Sequence, residues 1–239
     1  MDQETVNFRT SLLPVKNQAV AEALLLADTA DTRDIDGWFA NLLALLLNRV
    51  RSSWFTARGL TGGYLRRHAL DNGHLIDPVF GDFEPDRVAA SLRIAAPVAF
   101  KKAWRGDPDA AKKVMRTKLA GTVSRIVLNG ARDTIHRTTR ESRVIVGWRR
   151  VTDADPCFFC AMLAGRGAVY KSGRTAGDPR WGGEPYHDHC QCTALPLYEH
   201  EDEPPEVDDL YEQWQAATAG RSGSAAIRAW RRHWESRRR

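Results

Sequence analysis

The sequence predicts a mostly α-helical protein with a small α+β region towards its C-terminal end. Apolar residues recur at helical spacing along most of the first 140 residues, short β-rich runs replace that pattern after residue 141, and all four cysteines lie between positions 157 and 192. A chain of 239 residues with a hydrophobic fraction of 43% can bury a sizeable core. We therefore expect a helical N-terminal body followed by a smaller region that Cys and His side chains hold together.

Helices are predicted first over residues 17–30 and then from about residue 36 onwards. Apolar side chains form a continuous stripe on the second helix: Trp38, Phe39, Leu42, Leu43, Leu46 and Val50. We expect the paired glycines Gly62 and Gly63 to end this helix. A separate short helix is expected over residues 64–70.

Proline positions mark the next helices. Pro85 is expected in the first turn of a helix that Pro97 should kink or break, because a proline inside a helix removes a backbone hydrogen bond and clashes with the preceding turn. Asp107 and Pro108 begin the longest predicted helix, which ends near residue 139. Its apolar face is formed by Val114, Leu119, Val123, Ile126, Val127 and Gly130, and its basic face by Lys112, Lys113, Arg116, Lys118, Arg125, Arg132 and Arg137.

The pattern changes after residue 141. Two β-rich runs, residues 144–148 and 193–198, predict short strands on either side of the cysteine region. An acidic segment with Pro204 and Pro205 predicts a linker, and two short helices are expected over residues 210–218 and 225–235. The last of these ends in an arginine-rich tail, and its Trp230 and Trp234 are candidates for contact with a partner protein.

Two close-spaced ligand pairs point to a metal site. Cys157-x-x-Cys160 and His187-x-x-Cys190 are separated by 26 residues, many of them glycine. Thiolate and imidazole are the ligands that zinc prefers, and a structural site needs four of them. We expect Cys157, Cys160, His187 and Cys190 to bind a structural Zn²⁺, with Cys192 as the substitute for Cys190 and His189 as the other candidate histidine.

The four cysteines could have two other states instead of binding a metal. Four cysteines allow disulfides in an oxidising setting, or they stay free thiols. The polar, acidic first ten residues do not predict a signal peptide, which favours metal or thiols over a secreted disulfide framework. The glycine-rich loop between the pairs has too few apolar residues to order itself, and this is why a metal would be needed there.

We do not expect an enzyme, and no catalytic residue is predicted. Pro156-Cys157-x-x-Cys160 matches the cysteine half of the zinc deaminase signature, but His68, His74 and His136 all lack the Glu two positions later that supplies the catalytic half. A metal-dependent nuclease is the less favoured alternative. It would need an open coordination position and a nearby carboxylate, and Asp188 is the only acid within the His/Cys run.

Charge is distributed in blocks. The net charge is +5, with 14 Lys or Arg against 4 Asp or Glu over residues 101–150, and 7 Arg against 1 Glu over residues 220–239. Such surfaces allow non-specific contact with DNA phosphates, although a solvated helix face is the simpler interpretation of the long helix. The most apolar run, residues 38–47, is too short for a membrane segment, so none is predicted.

The ordered motifs resemble a known family. Residues 147–166, with Cys157-x-x-Cys160, and the later His187-x-x-Cys190-x-Cys192 are similar to the MuF-like minor head proteins of tailed bacteriophages, the actinobacterial-phage type in particular. The resemblance covers residues 112–198. The proline that usually lies between the His and Cys of the second motif is replaced here by Asp188-His189.

The resemblance implies a function and an organisation. It implies a minor structural protein of the phage head, involved in head morphogenesis, located in the virion near the portal vertex and in the host cytoplasm during assembly. Its partners would be the portal protein or the major capsid protein, with non-specific contact to packaged DNA. The expected division is a helical region over residues 1–106, a Cys/His-stapled MuF-like domain over residues 107–198, and an acidic linker with a basic C-terminal helix over residues 199–239.

Overall fold

The predicted fold class is confirmed by a computed structural model, which describes residues 3–153, 155–167, 186–199 and 204–237. The N-terminal body consists of α1 (Gln3–Asp28), α2 (Ile35–Asp71), α3 (Pro85–Arg93), α4 (Ala99–Ala103) and α5 (Pro108–Glu141). The C-terminal part consists of β1 (Ile145–Val151), α6 (Phe158–Ala164), β2 (Thr193–Tyr198), α7 (Pro205–Thr218) and α8 (Gly223–Ser236). The division into three regions stays a prediction.

Helix α5 is the centre of the body. It packs against α1, α2 and α4, and it also contacts both strands. Asp107 caps its first turn by accepting hydrogen bonds from the backbone of Asp109 and Ala110. The main hydrophobic cluster joins residues of α1, α2 and α5 to Trp148 of β1 and Leu195 of β2. The sheet that leads to the cysteine region is therefore part of the same core as the N-terminal helices.

Helix α1 begins at Gln3, so the predicted start at residue 17 was wrong. Phe8 and Leu12 are buried, and the ring of Phe8 stacks on Tyr64 of α2 with the ring centroids 4.2 Å apart. This contact between helices stabilises the N-terminal half of α1, which local sequence pattern did not indicate.

Helix α2 continues through Gly62 and Gly63 to Asp71, so the prediction of two separate helices was also wrong. A Cβ atom at Gly62 would lie 2.6 Å from Cζ of Phe80. The glycine thus permits close packing against the connection that follows α2. Tyr64 and Leu65, directly after the glycines, are fully buried, and their burial favours continuation of the helix.

Pro97 perturbs its helix without ending it. Residues 94–98 form one wide π-helical turn between α3 and α4, and Pro97 is buried within it. A π-turn accommodates the missing N–H group of proline while the chain stays helical. The expected interruption therefore takes the form of a local widening.

The two predicted strands form a two-stranded antiparallel sheet. Trp148 lies opposite Pro196 and Arg150 opposite Ala194, with an irregularity between Ile145 and Gly147. At the C-terminal end, α7 begins at Pro205, earlier than the predicted residue 210, because proline is well suited to the first helical position. Among the described residues, no helix is long and apolar enough to cross a membrane.

Candidate metal centre

The first pair of predicted ligands lies at the start of α6. Cys157 is the N-cap residue of this helix, and its sulfur accepts a hydrogen bond from the backbone nitrogen of Cys160 at 3.4 Å. The capped turn brings both sulfur atoms to one side. The Cys-x-x-Cys spacing thus allows both sulfur atoms to bind the same ion.

The second pair lies in the turn that precedes β2. The backbone nitrogen of Cys190 donates to the carbonyl oxygen of His187 at 3.1 Å, which closes a tight turn. Within that turn His189 has a positive φ of 65°, a conformation that non-glycine residues seldom take. Cys190 and Cys192 are both buried after the turn.

All five predicted ligands come together in space. Nε2 of His187 lies 3.0 Å from the sulfur of Cys157 and 3.5 Å from that of Cys160, and the sulfur atoms of Cys160 and Cys190 are 3.5 Å apart. The five residues form two overlapping sets of possible ligands: Cys157, Cys160 and His187 in one, and Cys160, Cys190 and Cys192 in the other. Cys160 belongs to both, so it is the central member of the cluster.

Four donors are needed for a tetrahedral ion, and five are present. The orientation of His187 favours its inclusion, because its Nδ1 atom lies 2.6 Å from the carbonyl oxygen of Asp188. When Nδ1–H donates to a carbonyl, Nε2 is left free to bind a metal, as in many metal sites. The arrangement can therefore bind an ion through Cys157, Cys160 and His187 together with Cys190 or Cys192.

The four cysteines are free thiols in this structure. The separation of 3.5 Å between the sulfur atoms of Cys160 and Cys190 is a contact distance, well above the length of about 2.05 Å of a disulfide bond. The geometry thus agrees with the metal or free-thiol alternatives rather than with disulfides.

Hydrogen bonds within the cluster separate the pKa values of its thiols. The bonds from Cys160 and His187 hold the pKa of Cys157 well below its ordinary value, and the bond from Cys160 likewise lowers the pKa of Cys190. Cys160 donates to both, so its own pKa is raised. The thiolate of Cys157 raises the pKa of His187 to about 9. The cluster thus favours thiolate at Cys157 and Cys190 and keeps the proton on Cys160, so a cation bound through Cys160 would have to displace that proton.

Arg132 of α5 fixes the backbone at Cys190 and Cys192. Its guanidinium donates to the carbonyl oxygen of Cys192 at 3.0 and 2.8 Å and to that of Cys190 at 2.8 Å. Arg132 is 1% exposed, so its assignment to a solvated basic face was wrong. Both Arg132 and the equally buried Arg150 stack over the ring of Tyr186, with Cζ 3.9 and 4.2 Å from the ring centroid.

Two tryptophans of α8 hold the first pair. The indole nitrogen of Trp230 donates to the carbonyl oxygen of Phe158 at 2.6 Å, and that of Trp234 donates to the carbonyl oxygen of Pro156 at 2.8 Å. Trp230 has no exposed surface. The proposed contact of Trp230 with a partner protein is therefore replaced by a contact within the chain, and the two tryptophans together bind the backbone on both sides of Cys157.

Asp188 and His189 attach the second turn to α5. The carboxylate of Asp188 accepts hydrogen bonds from Arg125 at 2.9 Å and from Thr122 at 3.2 Å. His189 packs on Gly121, where a Cβ atom would lie 2.5 Å from its Nε2 atom. Among the described residues, His187 is in one of the two sets of possible ligands and His189 is in neither.

Several residues that support the site were not identified from sequence: Thr122, Trp230, Trp234 and the packing role of Gly121. For the packing at Gly121, the local signal is the glycine itself. Glycine weakens the interior of a helix, so its presence there indicates that something packs closely against it. Most of the glycine-rich loop, residues 168–185, lies outside the described residues. The prediction that the metal orders this loop falls there too.

Comparison with known proteins identifies the family. A family model described as "VG15 protein" matches residues 69–217, which include α5, the sheet and both ligand turns. Comparison with curated proteins gave no match, and comparison with solved structures gave none. The family indicates a phage protein, and the matched residues make up more than half of this chain. The chain therefore belongs to the VG15 protein family.

Proposed function

We propose that this protein is a minor structural protein of a tailed-phage head, with a role in head morphogenesis at the portal or the capsid interior. Membership of the VG15 family supports a phage virion-associated protein. The two motifs that resemble those of MuF-like minor head proteins support the finer assignment. The expected partners are the portal protein, the major capsid protein or both.

One observation carries the structural role: the Cys/His cluster is held through backbone carbonyl groups from two sides. Arg132 of α5 binds the carbonyl oxygens of Cys190 and Cys192, and Trp230 and Trp234 of α8 bind those on either side of Cys157. The cluster therefore links the helical body, the sheet and the C-terminal helices. Such a position is what a structural cross-link requires, and we infer that the cluster has this role.

The donor set fits a structural zinc ion. Thiolate sulfur and imidazole nitrogen are the ligands of structural zinc sites, and His187 has the ring orientation that a zinc ligand takes. Cys157, Cys160, His187 and Cys190 would complete the tetrahedron, with Cys192 as the other candidate for the fourth position. A zinc ion bound there would contribute about 10–16 kcal/mol of apparent binding free energy, part of which becomes folding free energy.

Asp188 supports a role without catalysis. A nuclease centre needs a carboxylate that can reach a metal, a water molecule or the substrate. The carboxylate of Asp188 instead accepts hydrogen bonds from Arg125 and Thr122, on the side of α5. We therefore propose that the cluster does not catalyse a reaction.

Non-specific contact with packaged DNA is the second candidate, and α8 favours it. Arg228 and Arg232 are exposed on this helix, and the equally exposed Arg231 pairs with Glu235. On α5, by contrast, Arg116 pairs with Asp28 and Arg125 pairs with Asp188, in addition to the buried Arg132. Contact with phosphate groups would thus involve Arg228 and Arg232 of α8 together with the exposed Lys113 and Lys118 of α5.

A metal assay tests the structural role. We expect one zinc per chain in the purified protein and four titratable thiols after chelation. The Cys157→Ser variant should lose zinc and become sensitive to protease within residues 144–198, while the N-terminal helices stay folded. Unchanged protease resistance of that region in the variant would contradict the cross-link.

The biological assignment is tested on particles. Mass spectrometry of purified procapsids and virions should detect the protein at low copy number, and it should co-sediment with portal rings. Its absence from particles at every stage of assembly would overturn the proposal. Binding to DNA of any sequence that weakens steeply with salt, without binding to portal rings, would favour the second candidate.

A further inference from the structure

A groove of about 590 Å³ lies between α6, α7 and α8. One face of α7 lines it with side chains spaced three and four residues apart, which place them in one row along the helix. These are Tyr211, Trp214, Gln215 and Thr218. Met162 of α6 and Ile227 of α8 complete the apolar lining. None of these six side chains has a part in the metal centre or in the DNA contact proposed above.

Large apolar side chains of this groove are open to solvent. Tyr211 is 51% exposed and Ile227 41% exposed, on opposite walls. Single exposed apolar residues are ordinary on protein surfaces, but two on the walls of one concave site mark a place for interaction. The size of the groove suits a few side chains of a peptide rather than a flat protein surface.

The charge of the groove is one-sided. Arg166 and Arg221 line it, and neither Asp nor Glu is among its lining residues in the described part of the chain. The four acids of α7 all lie outside this lining: Glu206, Asp208, Asp209 and Glu212. The start of α8 at Ser222 and Gly223 adds the positive end of a helix dipole to the same site.

We propose that this groove binds an acidic amphipathic segment of a partner protein. Apolar side chains of the segment, spaced as on one helical face, enter between Tyr211 and Ile227, and its carboxylates pair with Arg166 and Arg221. Insertion of an amphipathic helix into a groove is a common mode of peptide recognition, with charge setting the preferred partner. The inference goes beyond the proposed function, since the groove would bind such a segment whatever assembly the partner belongs to.

Two segments of this protein itself are alternative occupants of the groove, and charge argues against the first of them. Residues 168–185 follow α6 closely in the chain, but they contain Lys171, Arg174 and Arg180 against Asp178 and Glu184, so the segment does not complement a cationic groove. The other occupant is an acidic segment of a second copy, such as residues 199–209. The experiment separates this self-association from binding of a foreign segment.

The experiment selects peptides from a random display library on the zinc-loaded, full-length protein. The library is depleted beforehand on the double variant Arg166→Glu/Arg221→Glu. We expect the selected peptides to combine Asp or Glu with apolar residues at three- and four-residue spacing. Their affinity should fall at least tenfold in the double variant and in Ile227→Glu, and it should weaken as salt is raised. Arg232→Glu, an exposed change on α8 outside the groove lining, is the matched control and should change affinity less than twofold.

Three outcomes would overturn the inference. They are failure to enrich any peptide, enrichment of peptides without acidic residues, and dimerisation of the protein that the double variant abolishes. Thermal unfolding and zinc content are measured for every variant, so a loss of fold or of the metal centre is separated from a loss of the groove. Arg166→Gln/Arg221→Gln, which removes charge without reversing it, provides a second test and should also weaken binding.

Discussion

The indole nitrogen of Trp234 donates a hydrogen bond of 2.8 Å to the carbonyl oxygen of Pro156. One helical turn earlier on α8, Trp230 makes the same kind of bond to Phe158. The two bonds fix the backbone on either side of Cys157, 70 to 80 residues earlier in the chain. The C-terminal helix is therefore part of the support of the candidate metal centre, although it contributes no ligand.

Removing the indole N–H at position 234 should weaken metal binding. Trp234→Phe keeps an aromatic ring in place but loses the bond to Pro156, and the loss of one outer-shell contact typically lowers metal affinity about 10–100-fold. Competition with a chromogenic zinc chelator measures the affinity. Trp104→Phe is the matched control, because Trp104 is 42% exposed on the helical body. Equal zinc affinity in the two variants would exclude a positioning role for Trp234.

Arg132 should be needed for stability as well as for metal binding. Arg132→Met fills similar space but removes three hydrogen bonds to the carbonyl oxygens of Cys190 and Cys192. We expect the free energy of unfolding to fall by about 2–5 kcal/mol, since buried acceptors lose a charged donor. Urea denaturation measures this change.

Lysine should not rescue position 132. The guanidinium reaches two carbonyl groups through its planar set of donors, and the single ammonium of Arg132→Lys cannot reproduce that geometry. Arg140→Met is the control on the same helix, because the Arg140 side chain is 62% exposed. A variant Arg132→Lys as stable as the wild type would show that charge alone, and not the geometry of the bonds, is required.

Replacing each of two glycines with alanine should change the stability of the protein in opposite directions. A Cβ atom at Gly130 would lie 2.4 Å from the carbonyl oxygen of Trp54, so Gly130→Ala must push α5 away from α2 and should destabilise the protein by about 1–3 kcal/mol. Gly59 lies on α2 with nothing within 4 Å of such an atom, and Gly59→Ala should stabilise the protein by about 0.4–1 kcal/mol. Denaturant unfolding of both variants tests the difference. A neutral Gly130→Ala would contradict the close approach of the two helices.

His136 should make stability depend on pH. Burial, together with the nearby guanidinium groups of Arg150 and Arg132, lowers the pKa of His136 from its ordinary 6.5 to about 3. The unfolded chain therefore binds a proton that the folded protein does not. The stability that the folded protein has with a neutral His136 is fully present above pH 6.5. It is lost as pH falls towards 3, by at most about 1.4 kcal/mol per pH unit, because protons bind the unfolded chain in that range.

A matched variant isolates this contribution. His136→Phe keeps a ring beside Trp148, whose centroid is 4.3 Å from that of His136, and removes the titrating group. Denaturant unfolding of both proteins between pH 4.5 and 7.5 gives the difference in slope, in which the titration of the metal ligands cancels. Parallel curves for the two proteins would show that His136 titrates at an ordinary pKa.

Prediction from sequence succeeded where a pattern is local. The long helix α5, the two strands and the proximity of the Cys157 and Cys160 thiols follow from spacing along a few turns of chain. The prediction failed where contacts between distant segments outweigh local preference. Gly62 was expected to end a helix, yet burial of Tyr64 and Leu65 carries α2 through it.

What the sequence by itself determined is the fold class and the set of five candidate ligands, because helical periodicity and metal-ligand spacing are properties of neighbouring residues. What only the tertiary structure decided is which residues support that set. Arg132 has the local pattern of a solvated basic residue, and Trp230 that of an exposed anchor, yet both are buried against backbone carbonyl groups of the ligand turns. A buried carbonyl oxygen needs a donor, and the donor comes from whichever distant side chain the packing of the helices brings to it.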